Sequence, residues 1–300
     1  MRKLPFHTLD VFTEEKFAGN PLAVVFEADG LETAAMQTIA REFNLSETIF
    51  VRTPKDSANT CAVRIFTPER ELPFAGHPTV GCAVLLASLK QKEGCSFETR
   101  LTLEAPAGLI PVTVTRIGGP IVAKLTAPKI ATAAAVKATS AEIASALGIA
   151  AADVGLTGHA AMVMNAGNPF MAAPVRSLEA LARTRIAEPS FSALTKAEGS
   201  MGIYPYTVGE KAEWRARLFA PAASVPEDPA TGSAAAAFPA VLLAAGKLAA
   251  GTANFAIEQG VEMGRPSRIL VEADVDAGAL KAVRIAGSAV RVTEGILLLD

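Results

Sequence analysis

The chain has 300 residues, of which 50% are hydrophobic and 19% are charged, and its formal net charge is −2. This balance, without a basic stripe, argues against a nucleic-acid partner, and the length suits two lobes of about 150 residues. Three cysteines without metal-ligand spacing, and no apolar stretch long enough to cross a bilayer, predict a cytoplasmic protein without a membrane partner.

The first half predicts short strands around one apolar helix. Runs of β-branched and aromatic residues bounded by turn formers predict the strands, and Asp29 and Glu32 have capping-box spacing ahead of an amphipathic helix. A second helix, running from Gly81, is apolar on all sides, which predicts that other structure encloses it. In chain order these are strands 6–12 and 22–26, a helix around 35–43, strands 48–51 and 61–66, the helix to about 90, and a hairpin around 106–108.

The second half predicts a similar set of elements after Gly118-Gly119-Pro120, which we take as the lobe boundary. Thr139 and Glu142 have capping-box spacing at the start of a helix. An alanine-rich helix from Ala234 to about residue 248 is again apolar on all sides. The other predicted elements are strands 121–125, 161–164, 170–175, 214–219, 253–258, 267–272, 282–286 and 289–292, and helices 178–183 and 191–197.

The two halves carry related motifs in the same order. Arg64-Ile65-Phe66-Thr67-Pro68 returns as Arg217-Leu218-Phe219-Ala220-Pro221, and Ala18-Gly19-Asn20-Pro21 returns as Ala166-Gly167-Asn168-Pro169. A fixed internal repeat indicates two related structural units. We therefore predict an α+β protein of two pseudo-repeat lobes, each a barrel-like mixed sheet around a central helix, at 1–118 (completed by a strand at about 285–300) and 119–284.

In each half, a glycine-bearing loop precedes the apolar helix. Gly76 and Gly232 lie where backbone N–H groups at a helix start can face an anion such as a carboxylate. A tight turn is the other role of such glycines. Because the two loops are related by the repeat, we favour substrate binding at both.

Four polar residues beside these loops are candidates for chemistry. Glu47 stands between a helix end and an apolar strand, and partial burial suits a carboxyl group to acid–base catalysis; a solvated strand-end glutamate is the alternative. His77 would contact substrate or shuttle a proton, or else cap its helix. Asp228 would likewise bind substrate or cap the second helix, and Ser233 would assist it or serve as a small helix residue.

Five segments together resemble the phenazine-biosynthesis PhzF-like isomerase family. They run in the family's order from the first strand to about residue 270, so the resemblance covers most of the chain. The segments are Phe17-Ala18-Gly19-Asn20-Pro21-Leu22-Ala23-Val24-Val25, Asn44-Leu45-Ser46-Glu47-Thr48, Phe74-Ala75-Gly76-His77-Pro78-Thr79, Glu227-Asp228-Pro229-Ala230-Thr231-Gly232-Ser233 and Gln259-Gly260-Val261-Glu262-Met263-Gly264-Arg265-Pro266-Ser267.

The resemblance implies the diaminopimelate epimerase-like fold, with an active site in the cleft between two lobes, and a homodimer. It implies an isomerase that moves a proton within trans-2,3-dihydro-3-hydroxyanthranilate or a similar small carboxylate-bearing substrate, without cofactor or metal. It places the acid–base group at Glu47 and substrate contacts at the remaining candidates, which are His77, Asp228, Ser233, Gly76 and Gly232.

Two alternatives stay open at this point. The first is an amino-acid epimerase or racemase with unlike bases, Glu47 with Asp228 or His77. The related racemase branch uses one cysteine on each loop, and neither loop here contains one, because Cys82 lies a full turn into its helix. The second alternative is a non-catalytic protein that binds a small molecule.

Overall fold

The computed structural model describes residues 1–92, 94–223 and 225–299, and the chain divides into two compact units. The first unit consists of Met1–Thr126 and Ala286–Asp300, and the second of Ala127–Ile285. Residue 300, the end of the predicted C-terminal strand, lies outside the described residues. Strand β16 passes through both units, because it runs from Ala279 to Leu299.

As far as it is described, the first unit has eight strands of its own, two α-helices and the C-terminal part of β16. Its core packs the amphipathic helix α1 and the end of β16 against buried side chains of the sheet, including Phe50 and Phe66. The elements are β1 (Arg2–Val11), β2 (Asn20–Val25), α1 (Thr33–Phe43), β3 (Glu47–Arg52), β4 (Cys61–Phe66), β5 (Glu71–Leu72), α2 (Gly76–Lys90), β6 (Phe97–Ala105), β7 (Gly108–Arg116) and β8 (Val122–Thr126).

Among its described residues, the second unit has seven strands of its own, four α-helices and the beginning of β16. Phe238 of its long helix is ringed by Tyr206, Trp214 and Phe255 at centroid distances of 4.8, 5.4 and 6.4 Å. The elements are β9 (Thr132–Ala135), α3 (Ser140–Leu147), β10 (Met162–Asn165), β11 (Pro169–Pro174), α4 (Leu178–Arg183), α5 (Ser190–Ala197), β12 (Ile203–Val208), β13 (Trp214–Ala216), α6 (Gly232–Ala244), β14 (Gly251–Gln259) and β15 (Ser267–Asp276).

The pairing pattern of the first unit returns in the second. In the order β1-β2-β3-β4-β6-β7, the pairs β2–β3 and β4–β6 are parallel and the rest antiparallel. In β10-β11-β12-β13-β14-β15, the second and fourth pairs are again the parallel ones. The sequence repeat therefore corresponds to a repeat of sheet topology.

Each unit wraps its mixed sheet around one helix. In the first, β16 neighbours β8 and also pairs with β1, which returns the strand order to its start. The ring is not a regular barrel, because β4 and β6 share only two paired positions. Helix α2 contacts β1, β2, β3, β7 and β8, and α6 contacts β9, β10, β11 and β15. Among the described helices, none combines the length and apolar character needed to cross a membrane.

Close approach of α2 to its sheet depends on Gly81. A Cβ atom built there would lie 2.6 Å from a methyl of Leu22 and 2.7 Å from one of Val11. Real Cβ atoms do not approach carbon this closely, so a side chain here would force the buried methyls of Leu22 and Val11, or the helix itself, to shift. Gly81 is therefore needed for the packing of α2 against β1 and β2.

Several expected elements differ from the observed ones. The division between the units lies after Thr126 rather than at Gly118-Gly119-Pro120, because these residues turn the chain from β7 into β8, which pair antiparallel. The two short strands expected at 282–286 and 289–292 are one strand, β16. Helix α6 ends at Ala244 rather than near residue 248, and β9 and β12 were not predicted.

One of the two expected capping boxes is present. Thr139 Oγ1 accepts a hydrogen bond from the backbone N–H of Glu142, and the Glu142 carboxylate accepts one from the backbone of Thr139. The box expected at Asp29 is wrong, because α1 starts at Thr33 after an uncapped Glu32. Asp29 instead accepts hydrogen bonds from the backbone and hydroxyl of Thr53.

Candidate active site

Glu47 is placed by the end of α1. The helix stops at Asn44, which takes the left-handed conformation (φ 51°), a common way to end a helix. Three residues later the chain enters β3 at Glu47, opposite Leu22 of the parallel strand β2. The Glu47 side chain keeps 17% of its surface exposed, so the carboxylate lies at the edge of the core rather than in bulk solvent.

His77 lies against this carboxylate. Its Nδ1 atom is 3.0 Å from Glu47 Oε2, and the imidazole is 5% exposed. A carboxylate has no proton to give, so Nδ1 carries the proton and donates it in this contact. The pair joins the start of β3 to the start of α2, two elements that are 30 residues apart in sequence.

The first turn of α2 explains why His77 is here. The helix was expected to run from Gly81, but it begins at Gly76, so His77 lies within its first turn. Ala75 precedes it in an extended conformation, and no side chain caps the helix. Pro78 fits this turn because its missing N–H would have had no partner within the helix. The N–H groups of Gly76 and His77 therefore stand at the positive end of the helix dipole.

The corresponding loop of the second unit is built differently. Asp228 Oδ2 accepts a 2.6 Å hydrogen bond from the hydroxyl of Thr231, the residue immediately before α6. Gln259 Nε2 donates to the backbone carbonyl of Asp228 at 2.7 Å. Gly232 and Ser233 are the first two residues of α6, and Ser233 is partly exposed. A side-chain network thus fixes the loop that carries the candidate residues.

Two arginines related by the repeat hold the segments that lead into both loops. Arg64 forms a two-pronged ion pair with Glu71, with N–O distances of 2.7 and 2.6 Å. Arg217 forms the same arrangement with Glu227, at 2.7 and 2.9 Å. Each guanidinium also lies over the phenylalanine two residues later, at 5.2 and 4.7 Å from the ring centroid. The repeated Arg-x-Phe-x-Pro motif is therefore a structural clamp.

The structure brings the predicted residues together within each unit. Glu47, His77 and Gly76 form one group, and Asp228, Gly232 and Ser233 lie along one loop and helix start. Sequence reasoning did not single out Thr231 and Gln259, which support that second group. The available signal was their presence in two of the five family-like segments, at 227–233 and 259–267.

Two of the three cysteines, Cys61 and Cys82, are buried thiols. Burial raises the pKa of the Cys61 thiol to about 11, and burial, with Cys61 nearby, raises that of Cys82 well above its usual value. Cys82 lies within the buried part of α2 and Cys95 is exposed. A thiol acts as a base only as thiolate, so Cys61 and Cys82 do not suit proton abstraction.

Two other features of the described residues lie apart from this chemistry. No three His, Cys, Asp or Glu side chains among them cluster so as to hold a metal ion. The first unit contains a cavity of about 700 Å³ between the C-terminal half of α2 and β16. Its lining includes Lys16, Arg116 and Arg291, and Glu47 and His77 are not part of it.

Known proteins resemble this chain over nearly its whole length. The chain is 42% identical to an uncharacterized isomerase of Mesorhizobium japonicum, over 97% of both chains. It is 36% identical to the trans-2,3-dihydro-3-hydroxyanthranilate isomerase of Pseudomonas fluorescens, over 97% of this chain and 98% of the relative. These relatives, which share the chain's length and are named as isomerases, indicate that the chain is an isomerase.

Solved structures agree with this class. A phenazine biosynthesis protein of the PhzF family from Bacillus anthracis superposes with a TM-score of 0.88 at 27% identity, covering 100% of both chains. A predicted epimerase from Pseudomonas aeruginosa gives 0.80 at 34% identity, covering 99% of both. The family model for phenazine biosynthesis-like proteins, PhzC-PhzF, matches residues 9–295. The chain belongs to this family.

Proposed function

We propose that this chain is a proton-shift isomerase whose substrate is trans-2,3-dihydro-3-hydroxyanthranilate or a similar small ring carboxylate. The observation that carries the proposal is the contact between Glu47 and His77, 3.0 Å apart at the uncapped start of α2. The dihydro-3-hydroxyanthranilate isomerase activity of the Pseudomonas fluorescens relative supplies the substrate class.

Glu47 acts first as base and then as acid. Its carboxylate takes a proton from one ring carbon and returns it to another carbon on the same face, so the single group ends the cycle as it began. His77 donates its Nδ1–H to Glu47, which holds the carboxylate in one orientation. Fixing the base in this way lowers the entropy that must be lost on reaching the transition state.

The glycine-led helix starts bind the substrate carboxylate. Backbone N–H groups at Gly76 and Gly232, at the positive ends of two helix dipoles, stabilise it and the enolate-like charge that develops as the proton leaves. Asp228 accepts a hydrogen bond from the substrate amine or hydroxyl, and Ser233 assists it.

The mechanism uses only side-chain and backbone groups of the protein, without cofactor or metal, and the functional form is a homodimer. Glu47 alone carries the proton, so the reaction needs no electron acceptor and no Lewis acid. Dialysis against a chelator should leave turnover unchanged, and light scattering after size exclusion should give twice the 31.0 kDa chain mass. A monomeric mass would contradict the dimer, and a metal-dependent rate would contradict the mechanism.

Replacing the base tests the proposal. Glu47→Gln keeps the size of the side chain but cannot accept a proton, and loss of a general base costs about 10²–10⁴-fold in rate. We expect the wild type to consume dihydro-3-hydroxyanthranilate and Glu47→Gln to lose turnover by that factor. Glu42→Gln, the same change on the exposed face of α1, is the control. Comparable rates in Glu47→Gln and wild type would refute the role of Glu47.

An epimerase with unlike bases is the second candidate, and similarity to the predicted epimerase from Pseudomonas aeruginosa favours testing it. Glu47 would then take a proton on one face, and Asp228 or His77 would return one on the other. Loss of optical rotation from a chiral amino or hydroxy acid in heavy water, with deuterium at the stereocentre, would favour this reaction. A purely ligand-binding protein would bind substrate with no turnover in the wild type.

A further inference from the structure

Gln259, at the end of β14, holds the loop before α6 with three hydrogen bonds from a fully buried side chain. Its Nε2 donates to the carbonyl oxygen of Asp228 at 2.7 Å and to Thr231 Oγ1 at 3.0 Å. Its Oε1 accepts from the backbone N–H of Thr231 at 3.2 Å. One amide group therefore contacts both ends of the Asp228–Thr231 segment.

The direction of every hydrogen bond in this network is determined by its chemistry. The Thr231 N–H can only donate and the Asp228 carbonyl can only accept, so the amide must present Oε1 to the first and Nε2 to the second. The second hydrogen on Nε2 points to Thr231 Oγ1, which accepts it. The hydroxyl hydrogen of Thr231 is then directed to Asp228 Oδ2, 2.6 Å away.

The turn after Gln259 is locked against the same loop. A Cβ atom at Gly260 (φ 76°) would lie 2.6 Å from the Pro229 carbonyl oxygen, so only glycine allows this approach. Arg215 forms ion pairs on both sides of the turn. Its NH1 atom is 2.7 Å from Glu258 Oε2 and its NH2 atom is 3.0 Å from Glu262 Oε1. Gln259 is thus held in place by the packed turn that follows it, and it can hold the loop before α6 in one conformation.

We propose that Gln259 and Thr231 are positioning residues that orient the carboxylate of Asp228 and the first N–H groups of α6 toward the substrate. The proposal rests on the proposed function, in which Asp228 contacts substrate. Gln259 and Thr231 act only through Asp228 and the helix start, whose N–H groups stabilise the enolate-like charge that develops as the proton leaves, so their loss should lower kcat more than it raises KM.

Matched substitutions separate this role from simple stability. Thr231→Val conserves volume but removes the hydroxyl, whereas Thr231→Ser keeps it; Gln259→Met keeps the length of the side chain but removes the amide. Thr195→Val deletes a buried hydroxyl of α5 that donates only to carbonyls of its own helix and serves as control. A hydrogen bond to a charged group corresponds to a loss of about 10- to 100-fold.

We expect Thr231→Val and Gln259→Met to lose kcat by that factor with KM changed less than threefold. Thr231→Ser should stay within about threefold of wild type, and Thr195→Val should match wild type at a similar melting temperature. Unchanged kcat in both Thr231→Val and Gln259→Met would overturn the proposal, and so would an equal kcat loss in Thr195→Val.

A second readout needs no substrate and therefore separates this proposal from the proposed function. In Gln259→Met, the backbone amide at position 231 loses its acceptor, so its hydrogen exchange followed by NMR should accelerate at least about tenfold relative to amides of α3. The wild type could fail to isomerise dihydro-3-hydroxyanthranilate while hydrogen exchange at amide 231 still accelerates in Gln259→Met. That result would support the role of Gln259 in the loop and refute the proposed substrate. If exchange is unchanged, Gln259 does not hold the loop.

Discussion

Arg217 and Arg64 provide a comparison within one chain, because they form the same ion pair in different surroundings. Arg217 is 7% exposed and its NH1 group also donates to the carbonyls of Leu181, Ala182 and Thr184, at 3.2, 3.1 and 2.8 Å. Arg64 has one further partner, the hydroxyl of Thr33 at 2.9 Å. Replacing each by Met keeps the apolar stem and deletes the charge.

The expected losses differ because burial differs. Breaking a buried pair costs about 3–5 kcal/mol, since the remaining charge is partly desolvated, and Arg217→Met also removes one donor from the carbonyls of Leu181, Ala182 and Thr184. The Arg64–Glu71 pair is more exposed, with side chains 19% and 29% accessible, so about 1 kcal/mol is expected there. The contact with a phenylalanine ring is common to both and cancels in the comparison.

Thermal unfolding followed by circular dichroism measures the difference. At about 2 °C per kcal/mol for a chain of this size, Arg217→Met should lower the melting temperature by about 6–10 °C and Arg64→Met by about 2 °C. Equal shifts in melting temperature, or a larger shift for Arg64→Met, would contradict the view that burial and the carbonyl contacts make Arg217 contribute more to stability than Arg64.

Two further predictions concern α2 and the thiols. Gly81→Ala should destabilise the protein in urea by up to about 2 kcal/mol, since overpacking costs about 1–3 kcal/mol and helix propensity returns about 1 kcal/mol; Gly119→Ala, where a Cβ meets nothing closer than 3.9 Å, should be near neutral, and equal stabilities would contradict the packing argument. At pH 8, iodoacetamide followed by mass spectrometry should label exposed Cys95 quickly and leave Cys61 and Cys82 unmodified, because burial keeps their pKa values high; rapid labelling of either buried thiol would contradict that burial.

Local chemistry determined how well the sequence predicted the fold. The capping box predicted at Thr139 is present, because its two hydrogen bonds join residues three apart in sequence. Asp29 instead accepts hydrogen bonds from Thr53, a contact between distant residues that no local sequence pattern predicts. The repeat predicted two related units, and the matching parallel and antiparallel pairs bear out that relation. Strand β9 was missed because its Thr-Ala-Ala-Ala sequence carries no strand signal, and only pairing with β10 makes it one.

The same limit applies to the site. Motif position was enough to select Glu47 and His77 as candidates, but not to show that they touch, because the contact depends on where α2 begins. Gln259 lies 28 residues after Thr231 and meets it only when β14 pairs beside β13. Such long-range polar contacts have no periodicity in sequence, so a single chain gives no pattern from which to infer them.

The most direct test of the account follows the proton itself. Wild type and Glu47→Gln would be incubated with trans-2,3-dihydro-3-hydroxyanthranilate in heavy water, and the ring carbons of substrate and product followed by NMR. We expect the wild type to form product, with deuterium at the receiving carbon wherever protonated Glu47 exchanges with solvent before it returns the proton, and Glu47→Gln to form neither product nor deuterated carbon at a comparable rate. Product and deuterium uptake that persist in Glu47→Gln would contradict the claim that this carboxylate moves the proton.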